Sequence, residues 1–169
     1  VTTTYEQTDP WLAGCPLLIE TTLGSRSLKE ERLTYDNSTA TGYTGTHTTR
    51  LLKRSTTTYV NGAEAYTVTQ TNTFDDYCNI TQTVETADGL PTIVTTTEYD
   101  INTGSWILRR PSDIKKYSDG NMISNVTFQY DGVTKVTASA WLDTDGSLVT
   151  TTYDLDANGN IAAITDPMN

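Results

Sequence analysis

The chain has 169 residues, and its 21 acidic against 11 basic side chains give a formal net charge of −10 at pH 7. Attraction to nucleic acid or anionic lipid rests on Lys and Arg neutralising phosphates, so this surface repels both. No apolar run nears the roughly 18 residues of a spanning helix.

Residue usage fixes the class. There are 10 Tyr against 2 Phe, and threonine supplies roughly a fifth of the chain, far above ordinary usage. Both are strand formers that tolerate one wet face. Mean hydropathy is −0.43, and no long stripe of apolar residues with helical period appears. The expectation is an all-β fold.

In chain order, Val1-Thr2-Thr3-Thr4-Tyr5 reads as a strand, followed by Trp11 and Pro16. Leu28 to Leu33 (Leu-Lys-Glu-Glu-Arg-Leu) has helical composition but runs straight into Tyr35-Asp36, as the other strands do, and is predicted as strand. Thr57-Thr58-Tyr59 leads to Asn61-Gly62, and Phe74-Asp75 leads to Cys78-Asn79-Ile80. A split near Pro91 then precedes Val94-Thr95-Thr96-Thr97-Glu98-Tyr99, Trp106 and Pro111. Each proline suits a sheet edge or a strand entry, because it cannot donate to a ladder. Each tryptophan is expected to pack over the corner where the chain turns; a flat sugar-stacking platform at Trp11 or Trp106 is the alternative. Met122 to Tyr130 alternates, with Met122, Ser124, Val126, Phe128 and Tyr130 on one face. It should pair with Ile114 to Tyr117 across Asp119-Gly120. Thr151-Thr152-Tyr153-Asp154 closes the series, with Asn158-Gly159 turning the chain back at Ile161.

Two rhythms run through these elements. Tyr5, Tyr35 and Tyr59 recur as Tyr99, Tyr130 and Tyr153, always after 94 or 95 residues. Residues 1–93 and 94–169 therefore read as two copies of a block, the second cut short, forming a single repeat-built domain. Inside each block, turn dipeptides fall at Asn61-Gly62, Asp88-Gly89, Asp119-Gly120, Asp131-Gly132, Asp145-Gly146 and Asn158-Gly159. Asn-Gly and Asp-Gly readily take the positive φ angles of tight hairpins. The chain opens and closes inside repeat-like sequence, so it is expected to be a segment of something longer.

Groups that could carry chemistry are sparse. His47 stands in a threonine-rich stretch with no nucleophile elbow beside it, and Cys15 and Cys78 have neither metal-ligand spacing nor a histidine partner in sequence. The cysteines could form one bridge or remain two thiols. Asp154-x-Asp156-x-Asn158-Gly159 matches the first half of a calcium loop, but the twelfth position is Thr165 rather than Glu. Turn backbone is the expected partner of these carboxylates. No catalytic residue, metal or cofactor is assigned. Asn37-Ser38-Thr39, Asn79-Ile80-Thr81 and Asn125-Val126-Thr127 fit the glycosylation pattern, which a chain this rich in threonine generates by chance.

The stretch from Tyr153 to Ile161, with Thr165-Asp166-Pro167, resembles the YD repeat of Rhs proteins: Tyr-Asp, a spacer, Gly-Asn or Gly-Arg, then an apolar residue. Phe74 to Ile80 is a second version, with Phe74 at the tyrosine and Cys78 at the glycine. Tyr35-Asp36, Tyr99-Asp100 and Tyr130-Asp131 are shorter versions. The family's members include shell regions of bacterial insecticidal toxins and the teneurins of animal cell surfaces. The resemblance implies a curved, spiralling antiparallel sheet of hairpins. It further implies a non-catalytic wall that encloses or presents a C-terminal toxin domain, secreted or at the cell surface. Its partners would be the rest of the parent shell and the enclosed domain, and its open strand edges invite self-association. Asp166-Pro167-Met168-Asn169 is similar to the Asp-Pro-x-Gly of the family's self-cleavage site, but here it closes an ordinary repeat. An adhesin-like module binding glycan or protein is the alternative function.

Overall fold

The computed structural model describes residues 1–7, 12–36, 49–132, 135–142 and 145–167, excluding the side chains of Lys135 and Leu142. Trp11, His47, the Asn37 triplet and Met168-Asn169 lie outside the described residues. The fold is all-β: the described residues form twelve strands and one 3-10 turn, with every strand pair described antiparallel. The chain divides into two units, Val1–Val94 and Thr95–Asn169.

The first unit contains β1 (Thr2–Tyr5), β2 (Pro16–Leu23), β3 (Arg26–Asp36), β4 (Arg50–Val60), β5 (Ala63–Phe74) and β6 (Ile80–Ala87). Strand order follows chain order, so each interior strand of the unit lies between the strands that precede and follow it in sequence. The helix-like stretch Leu28–Leu33 lies inside β3, facing β4 with Leu33 opposite Arg54 and Glu31 opposite Thr56. Pairing with neighbours overrides the helical propensity of Lys, Glu and Leu here. Pro16 is the first residue of β2, where a missing N–H costs the ladder little.

Threonine forms ladders across this sheet. Thr57 Oγ1 lies 2.7 Å from Thr67 Oγ1, Thr67 donates to Glu64 Oε1 at 2.7 Å, and Ser55 lies 3.3 Å from Thr69. Such pairs contribute roughly 0.2–1 kcal/mol each. Asn72, 7% exposed, ties three strands together. Its amide donates to Leu51 O on β4 at 2.9 Å, and its Oδ1 accepts from Thr83 on β6 at 3.1 Å.

β7 (Ile93–Asn102) begins at the end of the first unit and continues into the second. There it is followed by the 3-10 turn Thr103–Ser105, β8 (Ile107–Ser118), β9 (Asn121–Asp131), β10 (Lys135–Leu142), β11 (Leu148–Leu155) and β12 (Ile161–Thr165). The alternating stretch Met122–Tyr130 lies in β9, with Ile114 opposite Val126 and Tyr117 opposite Met122, as its pattern required. Pro111 differs from expectation: it lies inside β8, not at an entry. It precedes the first described β8–β9 pair, Asp113 with Thr127, so it removes no bond from that register.

Within each unit the strands contact their sequence neighbours in one layer. Apolar burial is accordingly thin: among the described residues the buried hydrophobics are Leu33, Ile107, Ala138 and Ala140, and no side chain is fully enclosed. A sheet normally buries one face against a second layer. Here hydroxyl ladders, ion pairs and ring contacts within the sheet supply the lateral cohesion.

Candidate functional site

The aromatic-Asp pairs all fall at the C-terminal ends of odd-numbered strands. In the first unit these are Tyr35-Asp36 on β3 and Phe74 on β5 with Asp75 following, while Tyr5 at the end of β1 is followed by Glu6 instead. In the second they are Tyr99-Asp100 on β7, Tyr130-Asp131 on β9 and Tyr153-Asp154 on β11. Antiparallel order places the ends of alternate strands along one edge, so each unit has a Tyr-Asp edge. Its opposite edge carries the tight turns. Asn61-Gly62 and Asp119-Gly120 are two-residue hairpins with positive φ at both positions (54° and 82°; 47° and 81°), joining Val60 to Ala63 and Ser118 to Asn121. That is the turn hand that fits strand twist.

On the Tyr-Asp edge of each unit, an arginine on the following strand joins the Asp of one repeat to the aromatic ring of the next. In the first unit Arg50 on β4 stands opposite Asp36 on β3 and pairs with its carboxylate, while its guanidinium lies 5.3 Å from the Phe74 ring centre on β5. In the second unit Arg110 on β8 pairs with Asp100 on β7 and lies 4.7 Å from the Tyr130 ring centre on β9. Arg110 also donates to Gly132 O at 2.9 Å, and Tyr130 Oη donates to Pro111 O. The guanidinium suits this role because its plane can stack on a ring while its edge forks onto a carboxylate. The arginine side chains are 16% and 12% exposed. Burial raises the Tyr130 pKa, opposed by the Arg110 charge, and burial likewise raises that of Tyr35. In β10, Lys135 occupies the register position opposite Asp131.

Two further corners share one construction. Asp75 Oδ1 accepts from Tyr77 N at 2.9 Å and Asn79 N at 2.8 Å, and its Oδ2 accepts from the Asn79 amide at 2.8 Å. Asp156 does the same with Asn158 N, Asn160 N and the Asn160 amide, at 2.8, 2.9 and 3.1 Å. Backbone bonds close both corners: Cys78 N to Asp75 O at 3.1 Å and Gly159 N to Asp156 O at 2.9 Å. Cys78 thus occupies the left-handed position (φ 64°) that glycine holds in the other corner. The residue equivalent to Asp75 is therefore Asp156, not Asp154, and Leu155 stands where Phe74 does. Asp154 lies in β11, opposite Ala163, while the Tyr153 hydroxyl lies 3.5 Å from Ser139 Oγ.

The carboxylates singled out by the calcium-like spacing are engaged with their own turn. Hydrogen bonds from the Asn160 backbone and side chain lower the Asp156 pKa, and those from Ser147 lower that of Asp145. Among the described residues no group of three His, Cys, Asp or Glu side chains gathers as metal ligands would. Cys15 and Cys78 are not joined by a disulfide, and each is partly buried.

Trp106 departs from expectation. It does not pack over the corner: it is 78% exposed, at φ 55°, where the 3-10 turn capped by Asn102 ends. The Asn102 side chain accepts from Ser105 N, and Trp106 N donates to Thr103 O. These bonds close a capped 3-10 corner that ends at Trp106 and leaves the ring outside. Arg50, Arg110 and Asn72 were not singled out in sequence. Each arginine follows its Asp by a different interval, 14 and 10 residues, so no fixed motif marks it.

No protein-family model matches the chain, and no curated protein matches it. Among solved structures it is similar to a chain in the crystal structure of TcdB2-TccC3-Cdc42, with 14% identity and a TM-score of 0.37 over 92% of this chain and 10% of that one. A second is in the Photorhabdus luminescens Tc holotoxin pore, with 15% identity and a TM-score of 0.36 over 83% of this chain and 8% of that one.

Proposed function

We propose that the chain is a non-catalytic wall segment of an Rhs/YD-repeat shell, secreted or at the cell surface, which encloses or presents a C-terminal toxin domain. The observation that carries this reading is the Tyr-Asp edge. Carboxylate, guanidinium and ring are spent on one another across three consecutive strands, fixing register rather than facing a substrate. The thin apolar burial supports it, because a one-layer sheet gains most from being continued or covered by the rest of a larger body. Its partners on this reading are the remainder of the shell and the enclosed domain.

Limited proteolysis of the full-length polypeptide carrying this segment tests the reading. A downstream domain should resist cleavage in the intact protein and become sensitive when Arg50 and Arg110 are both replaced by Ala. Equal sensitivity in the two proteins would refute the enclosure.

One observation favours a second reading, an extracellular module that binds glycan or protein: Trp106 presents its ring to solvent. Titration of tryptophan fluorescence with a panel of oligosaccharides decides it. Saturable quenching that Trp106→Ala abolishes would support it, and no quenching would remove it.

A further inference from the structure

We infer that Asn61 is a site of spontaneous backbone modification, converting to isoaspartate and aspartate through a succinimide, and that the fold directs this reaction to Asn61 in preference to Asn158. Both asparagines precede glycine. Glycine offers the following amide nitrogen the least steric hindrance, and that nitrogen is the nucleophile.

The two sites differ in what holds the nucleophile. At Asn158-Gly159 the attacking nitrogen is occupied: Gly159 N donates to Asp156 O at 2.9 Å, and Asn158 N donates to Asp156 Oδ1 at 2.8 Å. Asn160 on the far side is tied to the same carboxylate. The peptide unit that must rotate is therefore pinned from both sides. At Asn61-Gly62 the pair forms the whole of a two-residue loop, with Val60 and Ala63 as the closing partners. Both residues are exposed, the Gly62 N–H makes no backbone bond among the described residues, and a Cβ placed on Gly62 would meet nothing within 4 Å. Asn61 also holds a left-handed backbone (φ 54°), a conformation that a non-glycine residue relaxes when the loop opens.

The chemistry balances with water alone. The deprotonated Gly62 nitrogen attacks Asn61 Cγ, a C–N bond forms, and the side-chain nitrogen leaves as ammonia. Water then opens the ring at either carbonyl, giving aspartate or, with the chain rerouted through the side chain, isoaspartate. Either product adds one negative charge beside Glu64. Isoaspartate also adds a methylene to the main chain of a loop whose length sets the β4–β5 register, and that hairpin carries Arg50 and Phe74.

Incubation of the intact chain at mildly alkaline pH, followed by peptide mapping and isoaspartyl methyltransferase labelling, tests this. The product should accumulate several-fold faster at Asn61 than at Asn158, and in guanidinium the two rates should converge. Comparable rates in the folded protein, faster reaction at Asn158, or a preference that persists in denaturant would each overturn the inference.

Discussion

At the residue scale, the decisive side chains are Arg110 and its counterpart Arg50. Arg110 is nearly buried, pairs with Asp100, stacks on Tyr130 and holds Gly132 O. Arg110→Ala should therefore destabilise the protein by about 1–3 kcal/mol, the range for hydrogen bonds to charged groups and a partly screened ion pair. Arg110→Lys should recover only part of this, since an ammonium cannot stack and fork together. A double-mutant cycle with Asp100→Asn, read by denaturant unfolding, measures the coupling. Cys78 offers the opposite expectation. Its left-handed backbone is strained for a residue with a Cβ, and the Asp156 corner has glycine there. Cys78→Gly should raise stability by about 0.5–1 kcal/mol; a fall in Tm would show that thiol packing outweighs the strain.

Titration belongs at this scale as well. Asp145 and Asp156 have folded pKa values below their unfolded ones, so they contribute stability that is present above the unfolded carboxylate range and lost as pH falls through the folded values. Tyr35 and Tyr130 have raised folded values, so their contribution is intact below about pH 10 and is lost as pH rises through the folded pKa. Thermal unfolding from pH 3 to 11 should give a broad plateau with both shoulders. Asp156→Asn should shrink the acid shoulder, and Tyr130→Phe the alkaline one.

At the element scale, the strands and tight turns were legible because their signals are local. Alternation fixed the Met122–Tyr130 strand and its partner, and Asn-Gly and Asp-Gly fixed the hairpins that open β5 and β9. Even the Leu28–Leu33 stretch was readable from what followed it. The long corners were not, because their register depends on which Asx side chain captures the backbone. Tyr153-Asp154 looks like the corner in sequence, yet Asp156 makes it, two residues later. The exposure of Trp106 was hidden for the same reason: Asn102 captures the Ser105 N–H, and the turn ends at Trp106 in a left-handed backbone with the ring outside. Arg50 and Arg110 were invisible because sequence intervals of unequal length, 14 and 10 residues, separate each from its Asp. The tight hairpins make a sharp prediction of their own. Gly120→Ala, at φ 81°, should cost about 1 kcal/mol or more even though nothing crowds the added methyl, and chemical denaturation reads it directly.

At the scale of the whole molecule, the described residues of each unit bury few apolar side chains and form no closed apolar core. Its last strand, β12, is exposed along its full length, with Ile161 and Ile164 at 58% and 60%. No charge interrupts Ile161 to Thr165, although an inward or edge charge is the usual guard against strand addition. Self-association should therefore appear in sedimentation velocity as concentration rises, and Ile164→Lys should suppress it while leaving the unfolding midpoint nearly unchanged. Indifference of the association to that change would move the contact elsewhere. Cryo-electron microscopy of the full-length polypeptide tests the proposed wall role. A wall segment should show its strands built into a continuous shell around an enclosed domain. A segment standing free as a separate module, with no enclosed density beside it, would rule that role out.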